Sequence, residues 1–437
     1  MSNRLTRREF LAGSAAAAVA AGLPRWARAK AVSANEKLDV AVIGVAGRGG
    51  ANLGGVSSQN IVALCDVDSR NLGGAAKRFP KAATFADFRR MLDKVGKQID
   101  AVVVSTPDHT HAPAAAMAMR MKKHCYCEKP LTHSVHEART LVELANKNKL
   151  VTQMGTQIHA GGNYRRVVEI VQSGLIGPVG EVHVWHTVSY GAGDRPKDTP
   201  PVPKHLSWDL WLGPAPQRPY HPCYLPGSWR GWREFGTGGL GDFGCHYMDL
   251  PFWALKLRHP TTVEAEGPPP HAESTPRWLK IRYEFGARGD LPPVKMTWFD
   301  GGRQPAKVKE VLASLGEPQR KRWACGVLFV GAKGMMLAGY GARLLLPQKK
   351  FAGATLPKPT IPPSIGHHRE WIEACKTGGP TTCNFDYSGT LSEAVLLGTV
   401  AYRAGEKLTW DAKNLKATNC PKADALIRRP YRKGWQL

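Results

Sequence analysis

A glycine cluster directly after an apolar run restricts the fold of this chain more than any other feature. The run Lys37–Gly44 (KLDVAVIG) leads into Gly44-Val45-Ala46-Gly47-Arg48-Gly49-Gly50. The template is G-x-G-x-x-G after a strand, with an acid about 20 residues on. Gly44 and Gly49 hold its outer positions, and Ala46 stands where the middle glycine would be. Asp66 follows Gly44 by 22 residues and ends a second apolar run, Ile61–Asp66. Gly44 permits the tight turn, and Gly49 lets a helix pack close and aim its amides at a pyrophosphate. Ala46 departs from the template because its methyl crowds the phosphate; Gly47 and Arg48 beside it complete the loop. A Gly-rich turn alone is ordinary, but strand, spacing and acid together point to a dinucleotide. Asp66 favours NAD, since a carboxylate accepts from ribose hydroxyls and repels a 2′-phosphate. Arg70 lies close enough to leave NADP open.

Two more apolar runs follow, Ala101–Ser105 and Cys125–Cys127, with helix-compatible segments at Ala86–Lys94, Ala112–Met121 and Val135–Lys147. Strands alternating with helices predict an α/β domain whose parallel sheet binds ligands at its carboxyl ends. At that edge lies Ser105-Thr106-Pro107-Asp108-His109-Thr110-His111. Thr106, Pro107, His109 and His111 are candidates to hold the nicotinamide half. A metal cluster and a helix cap made by Asp108 and Thr110 are the alternatives. The next strand ends in Glu128-Lys129-Pro130. Proline stops the strand, so Lys129 projects from a rigid corner beside the cofactor. Cys125 and Cys127 share one strand face and read as buried thiols, because further ligands at metal spacing are missing.

In the second half, Gly236–Asp249 (GTGGLGDFGCHYMD) runs from a glycine-rich turn into a helix. Asp242, His246 and Asp249 share one face there. A histidine beside carboxylates can shuttle protons near neutral pH. The alternatives are a capping Asp242 with a satisfied histidine behind it, or a metal site, for which outside ligands are missing. No metal is expected. His159, Trp229 and Arg230 are substrate-binding candidates, as is Asp249; packing explains any single Trp equally well. Val179–Val188 alternates as a strand, which would turn His183 and His186 to opposite sides. Helices at His367–Lys376 and Leu391–Gly405 are expected to close the second domain, ahead of a basic tail, Arg428–Lys433.

The Gly-rich loop, the S-T-P-D-H-T-H stretch and the E-K-P corner resemble the Gfo/Idh/MocA oxidoreductase family, most densely over residues 38–155 and 236–250. The resemblance implies a Rossmann domain over 36–155. It implies an α+β domain over 156–437 with a large open, mostly antiparallel sheet that forms the sugar site and an oligomer contact. It further implies that Lys129, Asp242 and His246 act together in catalysis. Tightly bound NAD and a sugar or cyclic polyol substrate are the expected ligands. Some relatives are NAD-dependent glycosidases that oxidise C3, eliminate, hydrate and re-reduce. The glycine-histidine-glycine signature of the N-acetylgalactosaminidase group is not visible here. A catalytically silent glycan-binding protein is the third reading; the intact Lys129, Asp242 and His246 speak against it.

Thr6-Arg7-Arg8-Glu9-Phe10-Leu11, a small-residue run and Ala27-Arg28-Ala29 form a twin-arginine signal pattern with an A-x-A site, so residues 1–29 are expected to be cleaved on export to the periplasm. The 437-residue chain carries a net charge of +25, and losing the signal leaves about +21. Nucleic acid is an unlikely partner outside the cytoplasm; simple solubility or an anionic glycan accounts for the charge. No apolar run is long enough for a membrane span.

Overall fold

The computed structural model describes residues 36–437, so the signal pattern lies outside the described residues. Six parallel strands form the first sheet, in the order β3-β2-β1-β4-β5-β6. They are β1 (Asp39–Ile43), β2 (Asn60–Cys65), β3 (Ala83–Phe85), β4 (Ala101–Val104), β5 (His124–Glu128) and β6 (Thr152–Gly155). The central strands read as unbroken apolar runs because both faces are covered. Val40 and Val42 pack into one layer, Ala41 and Ile43 into the other. Cys125 and Cys127 fall on one side of β5 and Tyr126 on the other, all fully buried. Helices α1 (Arg48–Gly55), α2 (Ser69–Arg78), α3 (Phe88–Val95), α4 (His111–Arg120) and α5 (Val135–Asn148) connect these strands. Asp68, Asp87 and Ser134 cap α2, α3 and α5, each accepting from a backbone amide in the first turn.

The second sheet is built from β7 (Val179–Trp185), β8 (Thr262–Glu266), β9 (Lys280–Phe285), β10 (Val294–Phe299), β11 (Gly326–Gly331), β12 (Gly334–Ala338), β13 (Arg343–Leu346), β14 (Leu408–Asp411) and β15 (Lys416–Ala417), in the order β13-β12-β11-β7-β10-β9-β8-β14-β15. Only β7 (Val179–Trp185) and β10 (Val294–Phe299) pair in parallel; the other pairings are antiparallel. Alternation sorts its faces. In β9 (Lys280–Phe285), Ile281, Tyr283 and Phe285 are buried while Lys280, Arg282 and Glu284 face outward. Helix α8 (Asp249–Ala254) packs against α6 (Gly162–Gln172), α7 (Gly238–Tyr247) and strand β11.

Two C-terminal helices correct the expected arrangement. Helix α9 (His367–Thr377) does not close the second domain. Its Trp371, Ile372 and Cys375 join Val40, Val42 and Tyr126 on the first sheet. Helix α10 (Phe385–Ala404) starts at the Asn384 cap, whose side chain accepts from the Tyr387 amide. Its first turns are buried yet carry Asp386, Ser388 and Thr390, so no apolar period marks its start. Side chains of α10 and of both sheets share one continuous core, from Ile43 and Val104 through Leu391 and Val395 to Val184 and Ile281. Among the described residues no helix is long and apolar enough to cross a membrane.

Candidate active site

The β1–α1 loop has the shape a pyrophosphate needs. Gly44 adopts φ +82°, and a Cβ there would sit 2.6 Å from the Ser105 carbonyl oxygen. At Gly49 a Cβ would lie 2.1 Å from the Gly44 carbonyl oxygen, so helix and turn meet only through glycine. Gly47, at φ +54°, opens α1 with empty space around it, and Ala46, Gly47 and Arg48 are exposed. The amides of α1 therefore face open room, which an anion fits. Asp66 binds the loop itself: Oδ2 accepts from the Val45 amide at 3.0 Å and Oδ1 from the Asp68 amide at 2.9 Å. Burial raises the Asp66 pKa. Arg70 pairs with Asp68 at 2.8 Å.

At the ends of β4 and β5 the expected ligands divide. Thr106 and Pro107 are half-buried at the strand end. His109 is fully buried, its ring nitrogens 2.9 Å from the Trp211 carbonyl and 3.3 Å from that of Phe235. Burial and Arg429 push its pKa down to about 3. His109 is thus a neutral strut between domains rather than a cofactor ligand. His111 bridges the carbonyls of Thr106 at 2.7 Å and Pro130 at 2.8 Å, tying the two loops together. Neither capping role is realised. Thr110 makes no side-chain cap to α4, and Asp108 accepts from the amide and hydroxyl of Thr237 at 3.1 and 2.7 Å. Glu128, a cofactor-binding candidate, is buried and accepts from Asn52 at 2.9 Å and Gln157 at 2.7 Å, which orders the corner.

Lys129 crosses from the β5 corner to α7. Its Nζ donates to the Asp242 carbonyl at 2.8 Å and to Asp242 Oδ1. Asp242 Oδ2 accepts from the Tyr190 hydroxyl at 2.7 Å and from Arg230 Nε at 3.1 Å. Burial opposes ionisation of Asp242, yet Lys129 and Arg230 hold its carboxyl well below the usual range. His246 lies one turn along α7, and among the described residues its side chain makes no hydrogen bond; its Nδ1 is a buried atom without a partner there. Burial, then Lys129, drive its pKa far below that of a free imidazole, so the ring is neutral. Asp108 faces the same charges and is raised by burial to about 7.

Of the other candidates, Arg230 reaches Asp242, while His159, Asp249 and Trp229 have partners of their own. His159 and Asp249 are both fully buried and bond to each other, Nδ1 to Oδ1 at 2.9 Å, with Tyr387 donating to Asp249 at 2.7 Å. His159 also stacks on Trp253 at 3.9 Å. Trp229 joins a buried aromatic cluster with Trp211 and Phe235, and the Arg230 guanidinium lies 4.2 Å above its ring. Neither presents a free aromatic face to a sugar. His183 faces Thr297 and Glu181 on the outer side of the sheet, and His186, just past β7, stacks on Phe243 at 4.0 Å on the inner side. Tyr190, Asn52 and Thr237 were not expected, and Asp108 was expected only as a cap or metal ligand. Tyr190 lies in a loop without periodicity, and only the Asx and Thr spacing around the motifs hinted at the others. Among the described residues no three His, Cys, Asp or Glu side chains cluster as a metal-binding set.

Comparison with known proteins gives two matching family models. "Oxidoreductase family, NAD-binding Rossmann fold" matches residues 38–156, and "Oxidoreductase family, C-terminal alpha/beta domain" matches 160–290. An inositol 2-dehydrogenase of Rubrobacter xylanophilus is 32% identical over 157 residues, covering 35% of this chain and 44% of the relative. A glycosyl hydrolase family 109 protein of Saccharopolyspora erythraea is 30% identical over 285 residues, covering 57% of this chain and 56% of the relative. The chain thus matches about half the length or less of these curated relatives. Among solved structures, the WlbA dehydrogenase of Bordetella pertussis, in complex with NADH and UDP-GlcNAcA, superposes with a TM-score of 0.60 at 16% identity, covering 86% of this chain and 99% of that one. An aldose–aldose oxidoreductase of Caulobacter crescentus, complexed with glycerol, gives a TM-score of 0.54 at 15% identity, covering 86% and 100%. At those identities the likeness is one of fold.

Proposed function

The chain belongs to the Gfo/Idh/MocA oxidoreductase family and carries its NAD-binding Rossmann domain, and from that premise we propose that it oxidises or reduces a sugar or cyclic polyol with NAD. One observation carries the reading: Lys129 converges on Asp242, and a neutral His246 with an unpartnered ring nitrogen stands one turn away. The glycine loop and Asp66 hold NAD, which supplies the hydride acceptor when bound. His246 takes the proton from the reacting hydroxyl, because its neutral ring has a free lone pair. Lys129 donates to the oxygen as negative charge develops there. Asp242 fixes the ammonium and is itself fixed by Tyr190 and Arg230. Arg230 is too engaged with Asp242 and Trp229 to serve as a free substrate clamp.

The likeness to a glycosyl hydrolase family 109 protein favours a second reading. The same groups would then oxidise a glycoside transiently, and elimination, hydration and re-reduction would give net hydrolysis. Screening sugars and cyclic polyols for NADH formation, beside nitrophenyl glycosides with and without added NAD, separates the two. NADH accumulation with free sugars or polyols supports the oxidoreductase. NAD-dependent nitrophenol release without net NADH supports the hydrolase. Neither product, with no nucleotide released on denaturation, overturns both and leaves a glycan-binding protein.

Export belongs to the proposal as well. Changing Arg7 and Arg8 together to Lys is expected to keep the protein in the cytoplasm, because the twin-arginine route reads the pair itself. Unimpaired export of that variant refutes the assignment. Assembly into oligomers through the outer face of the second sheet is the expected quaternary arrangement, checked by light scattering.

A further inference from the structure

A cavity of about 220 Å³ lies behind the catalytic helix, between α5, α10 and the C-terminal tail. Arg233, Arg403, Arg428 and Arg429 all line it, with Glu234 the one carboxylate among the lining residues. Arg429 is neutralised by Glu137 at 2.7 Å. Among the described residues, Arg233, Arg403 and Arg428 have no carboxylate within ion-pair reach, and the Arg233 guanidinium donates to the His271 carbonyl at 3.0 Å. His133 also lines the wall; its ring meets the Arg233 backbone, and burial and Arg429 hold its pKa well below that of a free imidazole. Burial and the neighbouring Arg233 disfavour the charged form of Arg403, against the pull of Glu234. Like charges gathered in a walled recess repel one another unless an anion joins them. The guanidinium fork matches the oxygens of phosphate, sulfate and carboxylate.

We infer that this cavity is a binding site for a small oxyanion, separate from the NAD crevice and built by Arg233, Arg403 and Arg428. Thr237 lines its wall and also holds Asp108, so the occupied site abuts the start of α7. The inference does not depend on which reaction the crevice performs.

The test is calorimetric titration of inorganic phosphate into the full chain saturated with NAD, which keeps phosphate out of the pyrophosphate loop. Saturable binding to one site is expected, and Arg403→Gln should weaken it about tenfold or more, the usual loss when a charge-assisted hydrogen bond is removed. Arg428→Gln, at the exposed rim, is the second variant should Arg403→Gln fail to fold, and unchanged NAD affinity reports an intact crevice. Displacement by glucuronate identifies an acidic sugar as the source of the oxyanion, and displacement by sulfate alone identifies a free tetrahedral anion; either supports the site. Non-saturable phosphate binding, or equal affinity in wild type and folded variants, overturns it.

Discussion

Three donors meet one carboxylate at Asp242, and each has a different consequence. Lys129 brings the β5 corner to α7, Tyr190 anchors the loop after β7, and Arg230 closes the remaining side. His246 stands outside this network. His246→Ala is therefore expected to lose about two to four orders of magnitude in turnover while keeping its melting temperature and bound NAD. Lys129→Met should lose comparable turnover. Single-turnover NADH formation per folded molecule checks both, and wild-type turnover in His246→Ala would refute the assignment. Asp66→Ala should weaken NAD binding about tenfold or more and relax the preference over NADP, since it removes a charged acceptor. Unchanged NAD affinity by calorimetry would mean that Asp66 serves only the Val45 and Asp68 amides. Asp108 yields a pH prediction. Its folded pKa, about 7, lies above the unfolded value for a carboxyl, so the folded state holds a proton that the unfolded state has lost. Its contribution to stability is full below about pH 4 and disappears as the pH rises through about 7. Unfolding measured from pH 4 to 8 should therefore show a slope that Asp108→Asn flattens by up to about 1.4 kcal/mol per pH unit. An unaltered slope in that variant would place the titration elsewhere, with Asp300 the next buried carboxyl raised to about 7.

The β1–α1 element depends on its glycines unequally. At Gly49 an added Cβ meets backbone, the Gly44 carbonyl, which cannot yield without opening the turn. Gly49→Ala is expected to lower stability by about 3 kcal/mol or more and to abolish NAD binding. Gly47 has open space and only its positive φ to satisfy, so Gly47→Ala should lose about 1–2 kcal/mol and retain some NAD affinity. Thermal melts with NAD titrations rank the two, and the reverse order would contradict the loop geometry. This element was legible because its signal is local: strand, glycine spacing and acid lie within one short segment. That Lys129 ends a strand, and that Asp242 and His246 share a helical face, was legible for the same reason; the contact of Lys129 with Asp242 spans 113 residues and was implied only by the family resemblance. His109 was misread because its partners, Trp211 and Phe235, lie more than a hundred residues away in the chain. Tyr190 was missed because a loop offers no period to read. Strands β9 and β10 alternate plainly, as KIRYEF and VKMTWF, and their pattern was available but unread.

Across the whole molecule, one continuous core joins the two sheets, and the C-terminal tail lies back over the first domain. Arg429 and Tyr431 bond Glu137 at 2.7 and 2.6 Å, Arg120 holds the Leu437 carbonyl, and the Arg89 guanidinium lies 4.1 Å above the Trp435 ring. Glu137 is buried, so Arg429→Ala strands its charge and should lower stability by about 3 kcal/mol. Urea unfolding of the full chain measures this, and a loss below half that value would mean that Tyr431 and the α5 cap suffice. Helix α9 and the tail also bear on the order of manufacture. A ribosome delivers the six strands of the first sheet early, but Trp371, Ile372 and Trp435, which cover it, emerge at the end. The nucleotide-binding half therefore waits, partly uncovered, for the last part of the chain. Contacts so distant in sequence slow folding. A chain cut short before residue 367 would leave the layer of Val40, Val42 and Tyr126 without Trp371, Ile372 and Cys375.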